Sequence, residues 1–104
     1  MINYAFHAPT QAALTIQDSN QTFPIHRIYC VGRNFADHAK EMGAEVPKGT
    51  PVFFMKPADA ALQSTQIPYP SQTNDLHHEV ELVVAIGPNI PAQITRNNAN
   101  DAIF

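Results

Sequence analysis

Two glutamates one residue apart, Glu79 and Glu81, open an apolar run that continues through Ile86. Alternate residues of a strand share a face, so Glu79 and Glu81 stand side by side with Val83 and Ala85 after them. His78, Val80, Leu82, Val84 and Ile86 take the opposite face. Both faces are apolar beyond Glu81, which predicts a strand over Val80 to Ile86 that is covered on both sides. At a rise of about 3.3 Å per residue the two carboxylates lie about 7 Å apart. At an effective dielectric near 20 they repel by about 2 kcal/mol. Burial adds several kcal/mol of desolvation for each ion. A hard divalent cation resolves both problems, and paired carboxylates suit Mg²⁺, Mn²⁺ or Ca²⁺. A second reading stays open on spacing alone: the strand starts at Val80 and both glutamates are solvated at a sheet edge.

His77 and His78 precede this pair, but neighbours on a strand point to opposite faces, so one zinc ion taking both is disfavoured. A second group with chemical potential is Asn34 to Glu41, where a helix would bring His38 and Glu41 together at i and i+3. A carboxylate holding one imidazole nitrogen fixes the tautomer and makes the other nitrogen a better base, able to take a proton from water. The alternative is an ordinary surface helix carrying charged side chains. Cys30 sits inside an apolar run and reads as a small buried hydrophobe. There is no nucleophile elbow, no P-loop and no dinucleotide fingerprint in the chain.

The elements that must position these groups are short. Nine prolines against four glycines divide the 104 residues into windows mostly too small for a helix of average length. Between the prolines lie β-prone runs at Leu14–Ile16, Ile28–Val31, Val52–Met55 and Val80–Ile86, each next to turn residues. Two helices are expected. Asn34 to Met42 is capped by Asn34 and ended by Gly43; a second begins at Asn97 or Asn98 and runs to Phe104. The expected class is therefore mainly β with α, an α+β chain. With six Lys plus Arg, nine Asp plus Glu and a net charge of −3, it lacks the clustered positive surface that nucleic acid requires. Its longest apolar stretch, Leu82 to Gly87, falls far short of the roughly 20 residues that span a bilayer. Met1-Ile2-Asn3-Tyr4 carries no signal-peptide pattern, and the single cysteine forms no internal disulfide, so a cytoplasmic location is expected.

Three segments taken in order are specific together: Tyr29-Cys30-Val31-Gly32-Arg33-Asn34-Phe35-Ala36-Asp37-His38-Ala39-Lys40-Glu41-Met42-Gly43, then Phe53-Phe54-Met55-Lys56-Pro57, then His77-His78-Glu79-Val80-Glu81-Leu82. They resemble the opening part of the fumarylacetoacetate hydrolase family, in particular its short bacterial members of the fumarylpyruvate hydrolase and acylpyruvase type. The resemblance implies a mixed β-roll catalytic domain, with residues 1–23 as a variable lead-in and 24–104 as family-matching core, and the chain ending before the domain does. It implies a Mg²⁺ or Mn²⁺ ion held by Glu79 and Glu81, with a third, aspartate ligand outside this chain. It maps a general-base dyad onto His38 and Glu41, in a segment that orders as a lid over bound ligand. Phe35 stands where tyrosine is frequent, keeping the ring and losing the hydroxyl.

The implied reaction is hydrolysis of the carbon–carbon bond of a 2,4-dioxo acid such as fumarylpyruvate, giving pyruvate and a carboxylic acid. Oxaloacetate decarboxylation or 2-oxo-acid isomerisation on the same kind of site is the alternative. A third reading is an inactive 104-residue piece that serves only to associate. The expected partners are a small 2,4-dioxo or 2-oxo acid and a second copy in a homodimer, with neither nucleic acid nor membrane. The 104-residue chain by itself is expected to show little or no hydrolase activity.

Overall fold

The computed structural model describes residues 1–32, 43 and 51–104. The chain forms two units, Met1–Ile67 and Pro68–Phe104.

Among its described residues the first unit contains two antiparallel strand pairs. β1 (Ala13–Thr15) pairs with β2 (Thr22–Pro24), with Leu14 opposite Phe23 and Thr15 opposite Thr22. Asp18 turns the chain between them at φ 56°, a left-handed conformation that aspartate tolerates better than most residues. The Ser19 amide donates to the Ile16 carbonyl at 3.2 Å, and the Gln21 amide donates to Ser19 Oγ at 3.0 Å. Past β2, the Ile25 amide donates to the Ala12 carbonyl at 2.8 Å, and Gln11 Nε2 donates to the Ile25 carbonyl at 2.8 Å. Among the described residues of this unit, Ile25 is the buried hydrophobe, at 6% exposure. Gln63 ties residues further along to the same hairpin: Thr15 N–H donates to its Oε1 at 3.1 Å, and its Nε2 donates to Thr15 Oγ1 at 2.9 Å.

The second pair joins β3 (Ile28–Gly32) to β4 (Val52–Lys56), from Ile28 opposite Lys56 to Gly32 opposite Val52. Along β3 the exposure alternates with the two-residue period of a strand: Ile28, Cys30 and Gly32 are half-buried and the residues between them exposed. Cys30 lies opposite Phe54 and is half-buried, less enclosed than the sequence predicts. A Cβ at Gly32 would meet the Phe54 ring at 3.4 Å, so the missing side chain leaves room for that ring. Every residue of β4 is exposed. A 3₁₀ turn, Ala58–Ala60, follows Pro57.

In the second unit the sequence expectation and the structure part company. Residues 80–86 are not a named strand; the strand character is confined to one antiparallel bridge, Ile86 with Ile103. The Gly87 amide donates to the Ala102 carbonyl at 2.8 Å and the Phe104 amide to the Ala85 carbonyl at 2.9 Å, closing this end. Nor is the run covered: Val80 and Leu82 are each 91% exposed and Val83 82%. The physical reason is that a strand needs a partner edge and an apolar face to lie on, and propensity alone does not supply either. The expected helix over 97–104 contracts to a 3₁₀ turn, Ala99–Ala102. Its N-cap residue, Asn98, makes no capping bond, because its side chain accepts from the Thr95 amide at 2.7 Å and donates to the Gln93 carbonyl at 2.9 Å. The expected helix over Asn34 to Met42 lies outside the described residues.

Candidate metal centre

The segment that leads into Glu79 and Glu81 is organised by local bonds. The Asp75 amide donates to Thr73 Oγ1 at 3.1 Å, a turn in which a hydroxyl two residues back satisfies the backbone. The Leu76 amide donates to the Tyr69 hydroxyl at 3.3 Å. Asp75 Oδ1 and His77 Nε2 meet at 2.9 Å, with both side chains largely exposed. The sequence reading passed over this Asp75–His77 pair; the signal that could have found it is a carboxylate two residues before an imidazole, next to a turn-forming threonine. Screening by water at such exposure leaves it a weak contribution to stability.

Glu79 and Glu81 are themselves exposed, interleaved with Val80 and Leu82. Their carboxylates are hard oxygen donors, the type that Mg²⁺ and Mn²⁺ prefer. Among the described residues no group of three or more His, Cys, Asp or Glu side chains comes together in a way that could hold a metal ion. The donor chemistry thus fits a hard divalent ion, with the two glutamates as a partial set of ligands. The dyad residues His38 and Glu41 lie outside the described residues, in the connection between β3 and β4. Among the described residues no helix is long and apolar enough to cross a membrane.

Comparison with known proteins places this geometry in context. The family model for the C-terminal domain of fumarylacetoacetate (FAA) hydrolase matches residues 27–104. The chain is 43% identical over 82 residues to the oxaloacetate tautomerase YcgM of Escherichia coli, covering 78% of this chain and 36% of that one. It is 52% identical over 64 residues to the mitochondrial oxaloacetate tautomerase FAHD1 of Arabidopsis thaliana, covering 59% and 27%. Among solved structures, fumarylpyruvate hydrolase from Pseudomonas aeruginosa, in complex with Mn²⁺ and pyruvate, superposes with a TM-score of 0.82 at 43% identity, over 97% of this chain and 45% of that chain. The chain thus spans about a third of the length of these two curated relatives and under half of the solved one. Short strands with a few helical turns match the α+β fold of the solved protein. On a family match over three quarters of its length, the chain belongs to the fumarylacetoacetate hydrolase family.

Proposed function

We propose that this chain supplies the metal-binding and proton-handling residues of an enzyme that cleaves the carbon–carbon bond of a 2,4-dioxo acid, an acylpyruvate, to pyruvate and a carboxylic acid. The observation that carries the reading is the Glu79-x-Glu81 pair inside a chain that matches, over 97% of its length, a fumarylpyruvate hydrolase solved with Mn²⁺ and pyruvate. Glu79 and Glu81 each contribute a carboxylate to a Mg²⁺ or Mn²⁺ ion. When bound, that ion supplies positive charge beside the 2-oxo acid and so stabilises the negative charge that develops as the bond breaks. Glu41 holds one nitrogen of His38, and the other nitrogen takes a proton from water as the water attacks the distal carbonyl. That proton then passes to the departing carbon, giving pyruvate. Residues 24–104 act as part of a single catalytic domain, in a cytoplasmic enzyme that works as a homodimer.

A second reading has its own support: the curated relatives named above are oxaloacetate tautomerases. Tautomerisation moves a proton on a 2-oxo acid and breaks no carbon–carbon bond, so it needs the carboxylates and a base but no attacking water. Parallel assays separate the two. The enzyme carrying these residues is offered fumarylpyruvate, with pyruvate release followed, and enol-oxaloacetate, with loss of the enol absorbance followed. Release of pyruvate that depends on added Mn²⁺ and on His38 supports the hydrolase; enol loss without pyruvate release moves the assignment to the tautomerase.

A further inference from the structure

Given the reading of Glu79 and Glu81 as ligands of Mg²⁺ or Mn²⁺, on which this rests, we propose that Tyr69, Asp75 and His77 are positioning residues for that pair. Together they brace the backbone that leads into Glu79, and so raise the affinity of the two glutamates for the ion without coordinating it. All five residues lie in the second unit, Pro68–Phe104. The contacts of the brace join residues close in sequence, so they belong to this segment itself.

Tyr69 stands between Pro68 and Pro70. Each proline ring fixes its own φ, and Pro70 drives the residue before it into extended backbone. Tyr69 is thereby a stiff post. Its hydroxyl accepts from the Leu76 amide at 3.3 Å, which ties the far end of the loop 69–76 back to its beginning. Inside the loop the Asp75 amide donates to Thr73 Oγ1 at 3.1 Å. His77 Nε2 donates to Asp75 Oδ1 at 2.9 Å, carrying the restraint to within two residues of Glu79. On the other side of the glutamates the chain is fixed again, where the Phe104 amide donates to the Ala85 carbonyl at 2.9 Å. Glu79 and Glu81 therefore sit on a short span held at both ends.

The side chains of Asp75 and His77 are 89% and 74% exposed, so their contact adds little to stability. Its consequence is order. An ion that gathers two carboxylates must freeze the backbone between them and the nearest fixed point. Freezing one residue corresponds to a loss of about tenfold in an equilibrium constant. A brace that restrains the approach before the ion arrives removes part of that cost, as preorganisation does for any binding site.

Calorimetric titration of Mn²⁺ into the metal-free enzyme that carries these residues, and into its variants, tests the brace. Asp75→Ala and His77→Ala should each weaken Mn²⁺ binding about tenfold, and the double variant by about the same tenfold, because each acts through the other. Asp75→Asn, which still accepts from the imidazole, should hold affinity within about twofold of the parent. Tyr69→Phe, which keeps the ring and removes the acceptor, should weaken binding about fivefold and speed exchange of the Leu76 amide by a similar factor. The urea midpoint of the Asp75 and His77 variants should stay at the parent value, which separates positioning from a loss of folding. Equal losses in Asp75→Asn and Asp75→Ala would make the carboxylate's charge the cause, and a loss in His77→Ala alone would make His77 a ligand; either overturns the proposal. Unchanged affinity in every variant overturns it as well. If Glu81→Gln binds Mn²⁺ as the parent does, the ligand reading itself fails and the proposal falls with it.

Discussion

Replacing Ile25 and Leu82 by alanine removes a branched aliphatic side chain from two opposite environments, and the consequences should differ in kind. Ile25 is 6% exposed, and its backbone is held at both polar groups by bonds that the substitution leaves in place. Truncating a buried isoleucine costs about 2 to 5 kcal/mol. With few buried neighbours to keep a cavity open, the lower end applies, so about 2 kcal/mol, a factor of roughly 30 in the local opening equilibrium. Leu82 is 91% exposed, and truncating an exposed side chain changes stability by less than about 0.5 kcal/mol, about twofold. Amide hydrogen exchange on the 104-residue chain reads both. In Ile25→Ala the amides of β1 and β2 should exchange about 30-fold faster. In Leu82→Ala the amides of Gly87 and Phe104, which close the second unit, should stay within about twofold of the parent chain. If Leu82→Ala accelerated Gly87 and Phe104 as strongly as Ile25→Ala accelerates the first hairpin, the run would already be packed, and the reasoning from exposure would fail.

Other outcomes follow from individual contacts. Gln63→Leu removes both bonds to Thr15 and should lower the stability of the first hairpin by about 1 kcal/mol, whereas Gln63→Glu, which can still accept from the Thr15 amide and hydroxyl, should recover most of it; urea titration of the two variants decides. His38→Ala should reduce pyruvate release from fumarylpyruvate by about 10²- to 10⁴-fold while leaving Mn²⁺ affinity within about twofold, a split between turnover and metal titration that a merely structural role would not produce. Glu81→Gln, which keeps the shape and removes the charge, should weaken Mn²⁺ binding by about a hundredfold in calorimetric titration, with secondary structure by circular dichroism unchanged.

The parts of the fold most legible in the sequence were the β-prone runs that find a strand partner among the described residues. Ile28–Val31 and Val52–Met55 combine β-branched and aromatic residues between glycine and proline, and they pair with each other as β3 and β4. Leu14-Thr15-Ile16 appears as a strand shifted by one residue, Ala13–Thr15. Its partner Thr22–Pro24 carries a weak strand signal because a proline ends it, and Pro24 is tolerated there at the end of a two-stranded ladder, opposite Ala13. Propensity misled where the determinant was elsewhere. The valines of 80–86 state what the segment would do given a neighbour, and the described residues offer one bridge, at Ile86. The expected terminal helix failed for a different reason, since Asn98 spends its side chain on Gln93 and Thr95 instead of capping. For the candidate site, residue types and spacing were readable, and the motif order led to the family. The geometry that would bring Glu79 and Glu81 to one ion was not readable, because strand alternation fixes which side chains share a face only once a ladder exists.

The most direct test of the metal–oxo-acid account is anomalous diffraction at the manganese edge from crystals of the enzyme that carries these residues, grown with Mn²⁺ and pyruvate. The account predicts one anomalous peak within coordination distance, about 2.2 Å, of carboxylate oxygens from both Glu79 and Glu81, with pyruvate beside it, and no peak there in the Glu79→Gln, Glu81→Gln double variant. A manganese ion bound elsewhere, with both carboxylates turned into solvent, would contradict it.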